Sequence, residues 1–221
     1  MNDFTFRPAT LNEIDFLVET IIEAEKSGTD ILTYSTVFGM SEEETRKFLA
    51  LMLAEEVDGC ELSISSFLIA ECNGQTVAAL SAWIEGIEGI PSAILKGNLL
   101  KYVLPNKYIE RAMKVNEIIR ELHIEYLPNT IQIGACYVAK EFRGNRIIGL
   151  MNEEIIARLL EKKPDIKEAW VQVFCCNTPS LKTFQRSNFK IVMVKESSNE
   201  EINKYLPFNK KYLLKRDLII E

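Results

Sequence analysis

Apolar residues recur at helical spacing in some stretches of the chain and alternate or run together in others, and the two patterns interleave from end to end. Phe4–Arg7 reads as a short strand closed by Pro8. Thr10-Leu-Asn-Glu13 is a capping box. Behind it, Ile14, Leu17, Val18, Ile21 and Ile22 share one face, which predicts an amphipathic helix that stops before Gly28. Ser41-Glu-Glu-Glu44 repeats the capping signature and starts a second helix reaching to about Glu56. Phe67–Glu71 and Thr76–Ile84 are apolar runs around Asn73-Gly74, the dipeptide a type I′ turn prefers, so they predict a hairpin.

The second half carries the same mixture. Two helical stretches are expected at about Ser92–Val103 and Asn106–Leu122, separated at Pro105. A strand at Ile131–Val138, a helix at about Ile147–Leu160 and a strand at Glu168–Phe174 follow. A short helix at about Pro179–Ser187 comes next, with Pro179 suited to its first turn, and strands near Lys190–Lys195 and Lys211–Ile219 close the chain. This order predicts an α+β fold with a mixed, mostly antiparallel central sheet flanked by helices, not the regular alternation of a doubly wound fold. One domain spanning residues 1–221 is expected, with a helical insertion at about 86–129 between the third and fourth strands.

Composition narrows the class without naming a function. The 221 residues are 47% hydrophobic and 26% charged, ordinary for a chain that buries a sizeable core. No apolar run reaches membrane-spanning length and the N-terminus lacks a signal-like pattern, so a cytoplasmic protein with no membrane partner is expected. Cys60, Cys72, Cys136, Cys175 and Cys176 form no CxxC pair, and the single histidine, His123, stands far from them; no metal site is expected. The net charge of −6 hides an asymmetry: residues 1–130 hold 21 acidic and 10 basic side chains, and residues 131–221 hold 11 and 16. A basic half suits a polyanionic ligand, an acidic half tilts towards a cationic acceptor, and the overall sign disfavours nucleic acid.

The richest chemistry lies where the Ile131–Val138 strand breaks. Arg143-Gly144-Asn145-Arg146 then leads into a helix starting near Ile147. A basic, glycine-containing turn at a helix N-terminus is a place for pyrophosphate, because first-turn N–H groups lack intrahelical acceptors and the helix dipole is positive there. About thirty residues on stands Asn177-Thr-Pro-Ser180, followed by Phe184, Asn188 and Phe189. Asn177 also reads as a helix N-cap before Pro179.

These two segments, in this order and separation, resemble the GNAT superfamily of N-acetyltransferases. Val138 to Ile148 fits the family's elbow in register, with Arg143 at its Gln/Arg position, Arg146 in place of a glycine, Ile148 in place of a small residue and Lys140 where proline is common. Asn177 to Phe189 fits the second motif, with Ser180 for Ala, Phe184 for Tyr and Asn188 for Gly. The likeness covers about residues 3–85 and 130–219 by element order and about 137–189 by motif. It implies acetyl-CoA as acyl donor, with no metal. The implied cofactor-binding residues are Cys136, Tyr137, Val138, Arg143, Gly144, Asn145, Arg146, Ile147, Ile148, Asn177, Ser180 and Phe184.

The resemblance implies acetyl transfer to an amine-bearing small molecule or peptide, with a homodimer as an allowed assembly. A backbone N–H at Val138 or a neighbour would stabilise the oxyanion. The family's thiolate-protonating tyrosine falls on Phe184, and its two glutamate positions read Gln132 and Gln172, which cannot accept a proton at neutral pH. Tyr137 has a phenol, but strand alternation turns it away from the face of Cys136 and Val138. His123 has the right unperturbed pKa for a base, or is simply a helix-end residue. Glu85 and Glu88 follow the hairpin, where relatives bind acceptor, or solvate a loop. The alternative is therefore a catalytically weak acyl-CoA-binding sensor or partner domain of the same fold.

Overall fold

The computed structural model describes residues 3–87 and 89–218; Glu88 and Ile219 lie outside them. Strands β1 (Thr5–Pro8), β2 (Phe67–Cys72), β3 (Gln75–Ile84), β4 (Ile131–Val138), β5 (Glu168–Phe174), β6 (Lys190–Glu196) and β7 (Lys210–Asp217) form one sheet in the order β1-β2-β3-β4-β5-β7-β6. Every neighbouring pair is antiparallel except β4 and β5. The helices are α1 (Ile14–Lys26), α2 (Thr33–Phe38), α3 (Glu42–Ala54), α4 (Ser92–Val103), α5 (Asn106–Ile119), α6 (Ile147–Lys162) and α7 (Thr178–Arg186).

The local signals work as the sequence suggests. Ser41 accepts from the Glu44 N–H at 3.1 Å while the Glu44 carboxylate accepts from the Ser41 N–H at 2.9 Å, so two of the first-turn donors of α3 are satisfied reciprocally. Thr10 and Glu13 make the same box around a 3-10 turn that feeds α1. Asn73 and Gly74 both take positive φ, as the hairpin turn requires.

Period-2 alternation in the strands divides the interior into two layers. Phe67, Ile69, Ala79 and Ala135 face α1 to α5, where Leu17, Ile22 and Leu49 are fully buried. Leu68, Ala70, Leu80 and Ile133 face α6 and α7, meeting Ile147, Met151, Ile155 and Phe184. The insertion between β3 and β4 contributes Leu99, Tyr108 and Val115 to the first layer.

One helix was not legible. Thr33–Phe38 is rich in β-branched and aromatic residues, yet it forms α2, because Tyr34, Val37 and Phe38 pack into the first layer and Gly39 closes the helix at φ +74°. The helix expected to run from Asn106 to Leu122 ends at Ile119 and tightens into a 3-10 turn over Arg120–Leu122. Among the described residues no helix is long and apolar enough to cross a membrane.

Candidate active site

The site begins with a defect in the sheet. β3 and β4 pair regularly until Ala82↔Ile133, then slip, so that Gly134 and Ala135 stand opposite Ser81 before pairing resumes at Leu80↔Cys136. A Cβ on Gly134 would fall 2.5 Å from the Ser81 hydroxyl oxygen, so only glycine permits this approach. On the other edge of β4, pairing with β5 stops after Ile133↔Val171. The second half of β4 therefore has a free edge. The Ala139 N–H bonds to the Val77 carbonyl at 2.9 Å, and by alternation the Val138 N–H points the opposite way, into the gap beside β5.

The chain leaves β4 through a 3-10 turn, passes Gly144 at φ +87° and Arg146 at φ +58°, and enters α6. Arg146 occupies the left-handed region that a glycine takes without strain, a cost of about 1–2 kcal/mol for other residues. Arg143 braces the turn, donating from Nε to the Val138 carbonyl at 3.0 Å and lying 5.6 Å over the Tyr137 ring. The backbone ladder of α6 opens with the Leu150 N–H on the Arg146 carbonyl, at 3.2 Å. The N–H groups of Ile147, Ile148 and Gly149 precede it, no side chain caps them and the first turn holds no acidic residue. Ile148 packs its side chain on the core beneath. Opposite, Asn177 caps α7, its Oδ1 accepting from the Ser180 N–H at 3.2 Å.

These segments line a cavity of about 560 Å³. Cys136, Tyr137, Val138, Arg143, Gly144, Asn145, Arg146, Ile147 and Ile148 form one wall, and Asn177, Ser180 and Phe184 the other, so every residue of the elbow and α7 singled out from sequence meets there. Arg143, Arg146, Lys182 and Arg186 oppose the single carboxylate of Glu23, making the cavity cationic. Tyr137 turns towards α1, its ring 5.9 Å from that of Phe16, as alternation requires. Burial pushes the Cys136 thiol up to about 11, so it packs as a thiol.

A second cavity of about 410 Å³ lies on the α2, α4 and α5 side, and Gln172 lines both. Its titratable groups include Glu25, Tyr34, Glu61, Lys96, Arg120, His123, Tyr126 and Lys211, with Thr33, Ser92 and Asn116 also in the lining. Glu61 and Lys96 form an ion pair, joined by the Tyr126 hydroxyl at 3.3 Å and the Tyr34 hydroxyl at 3.5 Å. Burial opposes the charge of both, and their mutual attraction prevails, holding Glu61 below and Lys96 well above their ordinary values. Glu25 has no such partner: burial raises its pKa, and nearby Lys96 only partly offsets this. Burial lowers the pKa of Lys211, with Glu25 opposing. His123 sits exposed at the rim, its pKa lowered by desolvation and then by Lys211.

No protein-family model matches the chain, and no curated protein matches it in sequence. Its structure is similar over 96% of its length to 100% of an N-acetyltransferase from Staphylococcus aureus Mu50, with a TM-score of 0.66 at 10% identity. It is also similar to an acetyltransferase of the GNAT family from Streptococcus pneumoniae (TM-score 0.52, 14% identity, 98% and 100% of the two chains). A third likeness is to the Drosophila melanogaster polyamine N-acetyltransferase that forms N-acetylagmatine (TM-score 0.56, 14% identity, 98% and 100%). The chain has the GNAT acetyltransferase fold. At these identities the likeness is one of fold, and the side chains must speak for themselves.

Within the GNAT fold, one residue singled out from sequence belongs elsewhere. Glu85 lines neither cavity. Its carboxylate accepts from the Trp83 indole N–H (3.0 Å), the Ser92 N–H (2.9 Å) and the Ser92 hydroxyl (2.5 Å), so it anchors the start of α4. Gln132 is buried and donates to Thr130. Gln172 faces the junction of the cavities, donating to the Ile124 carbonyl at 3.0 Å. Sequence reasoning missed Glu25, which follows the apolar stripe of α1 as an unremarkable acidic residue, and it missed Glu61, Lys96 and Lys211. The acidic excess of residues 1–130 does not reach this cavity, which draws Glu25 and Glu61 but also Lys96 and Lys211.

Proposed function

We propose that the protein transfers an acetyl group from acetyl-CoA to an amine. One observation carries this reading: an uncapped helix N-terminus and a free strand edge line a single cationic cavity, which meets a second cavity at Gln172. The acetyltransferase names of the structural neighbours support it. The free N–H groups of Ile147, Ile148 and Gly149, with Arg143 and Arg146 beside them, fit a pyrophosphate. Acetyl-CoA would supply an activated thioester.

The chain's own residues then have separable tasks. Glu25 takes the proton from the incoming ammonium, directly or through water, because among the described residues it faces the second cavity without an ion-pair partner, and burial raises its pKa above that of an ordinary carboxylate. His123, at the rim of the same cavity, passes protons to solvent. The amine nitrogen attacks the thioester carbonyl carbon, and the Val138 N–H stabilises the negative charge on its oxygen. The C–S bond breaks, and the thiolate takes a proton from the substrate nitrogen or water, since Phe184 has none to give. The free cysteines fit a reducing compartment, and we assign the protein to the cytoplasm.

Phe184, Gln132 and Gln172 favour a second reading, an acyl-CoA-binding domain with little turnover. Thiol release from acetyl-CoA across a panel of amines, with CoA binding followed by calorimetry, separates the two. Turnover supports transfer, binding without turnover on any amine supports the sensor, and absence of binding refutes both.

A further inference from the structure

We propose that the acceptor is an amine bearing its own carboxylate, an amino-acid-like zwitterion with an apolar side chain, whose carboxylate is held by Lys211 and whose amine is presented to Glu25. The inference rests on the acetyl-transfer reading and deepens it.

The second cavity contains two kinds of charge. Glu61 and Lys96 are already matched and share their hydrogen bonds with two tyrosines. Glu25 and Lys211 are not matched. Among the described residues neither has an ion-pair partner within 4.0 Å, although each feels the other's charge. The Lys211 ammonium lies 4.8 Å over the Phe174 ring and reaches only the Gln172 Oε1, at 3.5 Å. A desolvated ammonium with one long contact has unused donors, and a desolvated carboxylate has unused acceptors.

An unpaired cation and an unpaired anion facing one cavity complement a ligand that carries both signs. A simple amine would satisfy Glu25 and leave Lys211 unmatched. A second cationic group, as in a polyamine, would meet Lys211 and Lys96 at close range. Val37, Phe38, Leu100, Ile119 and Leu206 give the cavity an apolar wall, beside Thr33, Ser92, Asn116 and an Arg120 already paired with Glu117. At about 410 Å³ the cavity is in the size range of small-ligand pockets. Gln172, bonded to Lys211 and lining both cavities, places the carboxylate end of the acceptor near the junction.

The test compares acceptors that differ only in the carboxylate: L-phenylalanine against 2-phenylethylamine, and L-leucine against 3-methylbutylamine. Thiol release from acetyl-CoA gives kcat/KM, and calorimetry gives the affinity of the same compounds for the protein with CoA present. The amino acids are expected to lead by about 10- to 100-fold, the size of effect when one charge-assisted hydrogen bond is gained. In Lys211→Gln that preference should fall to within about threefold, chiefly through KM, and Lys211→Arg should restore part of it. CoA affinity of Lys211→Gln, read separately, reports on folding and on the first cavity. Equal or better use and binding of the simple amines, or an unchanged preference in Lys211→Gln, overturns the proposal. If CoA binds and no acceptor releases thiol, the acetyl-transfer reading fails, while tighter binding of the amino acids would still support the zwitterion site.

Discussion

A methyl group added at Gly134 probes the bulge from which the site opens. The new Cβ would lie 2.5 Å from the Ser81 hydroxyl oxygen and 3.0 Å from Cζ3 of Trp83. Neither neighbour moves freely. Ser81 is fully buried, and Trp83 is held by its 3.0 Å bond to Glu85 and by an edge contact with Tyr126 at 5.4 Å between ring centroids. Overpacking of this kind costs about 1–3 kcal/mol. Replacing glycine in a strand returns about 0.5–1 kcal/mol through the unfolded chain. The net expectation for Gly134→Ala is a loss of roughly 0–2.5 kcal/mol, or at most about 10 °C in Tm for a chain of this size. Ser81→Ala removes the closer contact, so the double variant should recover at least about 0.5 kcal/mol relative to the sum of the single changes. Chemical denaturation of the four proteins measures this directly. Stability of Gly134→Ala within about 0.3 kcal/mol of the parent, with Ser81→Ala strictly additive, would show that the bulge tolerates a side chain and refute the argument from close approach.

Glu25→Gln should lower kcat by about 10²–10⁴ and abolish the acidic limb of its pH profile. Because burial raises the Glu25 pKa, its stability contribution is present at low pH and lost as pH rises through the folded value. The amide should therefore not lower Tm at neutral pH; a fall in Tm matching the fall in kcat would mark a structural role instead. Asn177→Ala deletes the α7 cap and should cost about 1 kcal/mol, seen as a Tm lower by about 2–4 °C, together with weaker CoA binding by calorimetry. Glu13 is held at about 2, first by its hydrogen bond to Arg7, against the opposing effect of burial. Its contribution is complete above the ordinary value of 4.5 and lost as pH falls towards 2, so Glu13→Gln should flatten the acid arm of a stability–pH curve and leave the alkaline arm unchanged.

Elements whose causes are local can be read from the residues alone. The Ser41–Glu44 capping box, the Asn73-Gly74 turn, the Asn177 cap and the elbow from Val138 to Ile148 each follow from hydrogen bonds and backbone sterics within a few residues. That is why their positions, and the grouping of the elbow and α7 residues along one cavity, were legible in the sequence. Thr33–Phe38 was not, because packing of Tyr34, Val37 and Phe38 overrides a weak local preference. The surroundings of Glu85 were not legible for the same reason: its neighbours in sequence suggested a loop, and its neighbours in space are Trp83 and Ser92. The second cavity, by contrast, is assembled from segments far apart in the chain. Glu25, Glu61, Lys96 and Lys211 come from α1, a connecting loop, α4 and β7, and the packing of those helices on the sheet brings them to one cavity. Whether such a charge is matched depends on which group stands across that cavity, and no local pattern along the chain encodes that distance.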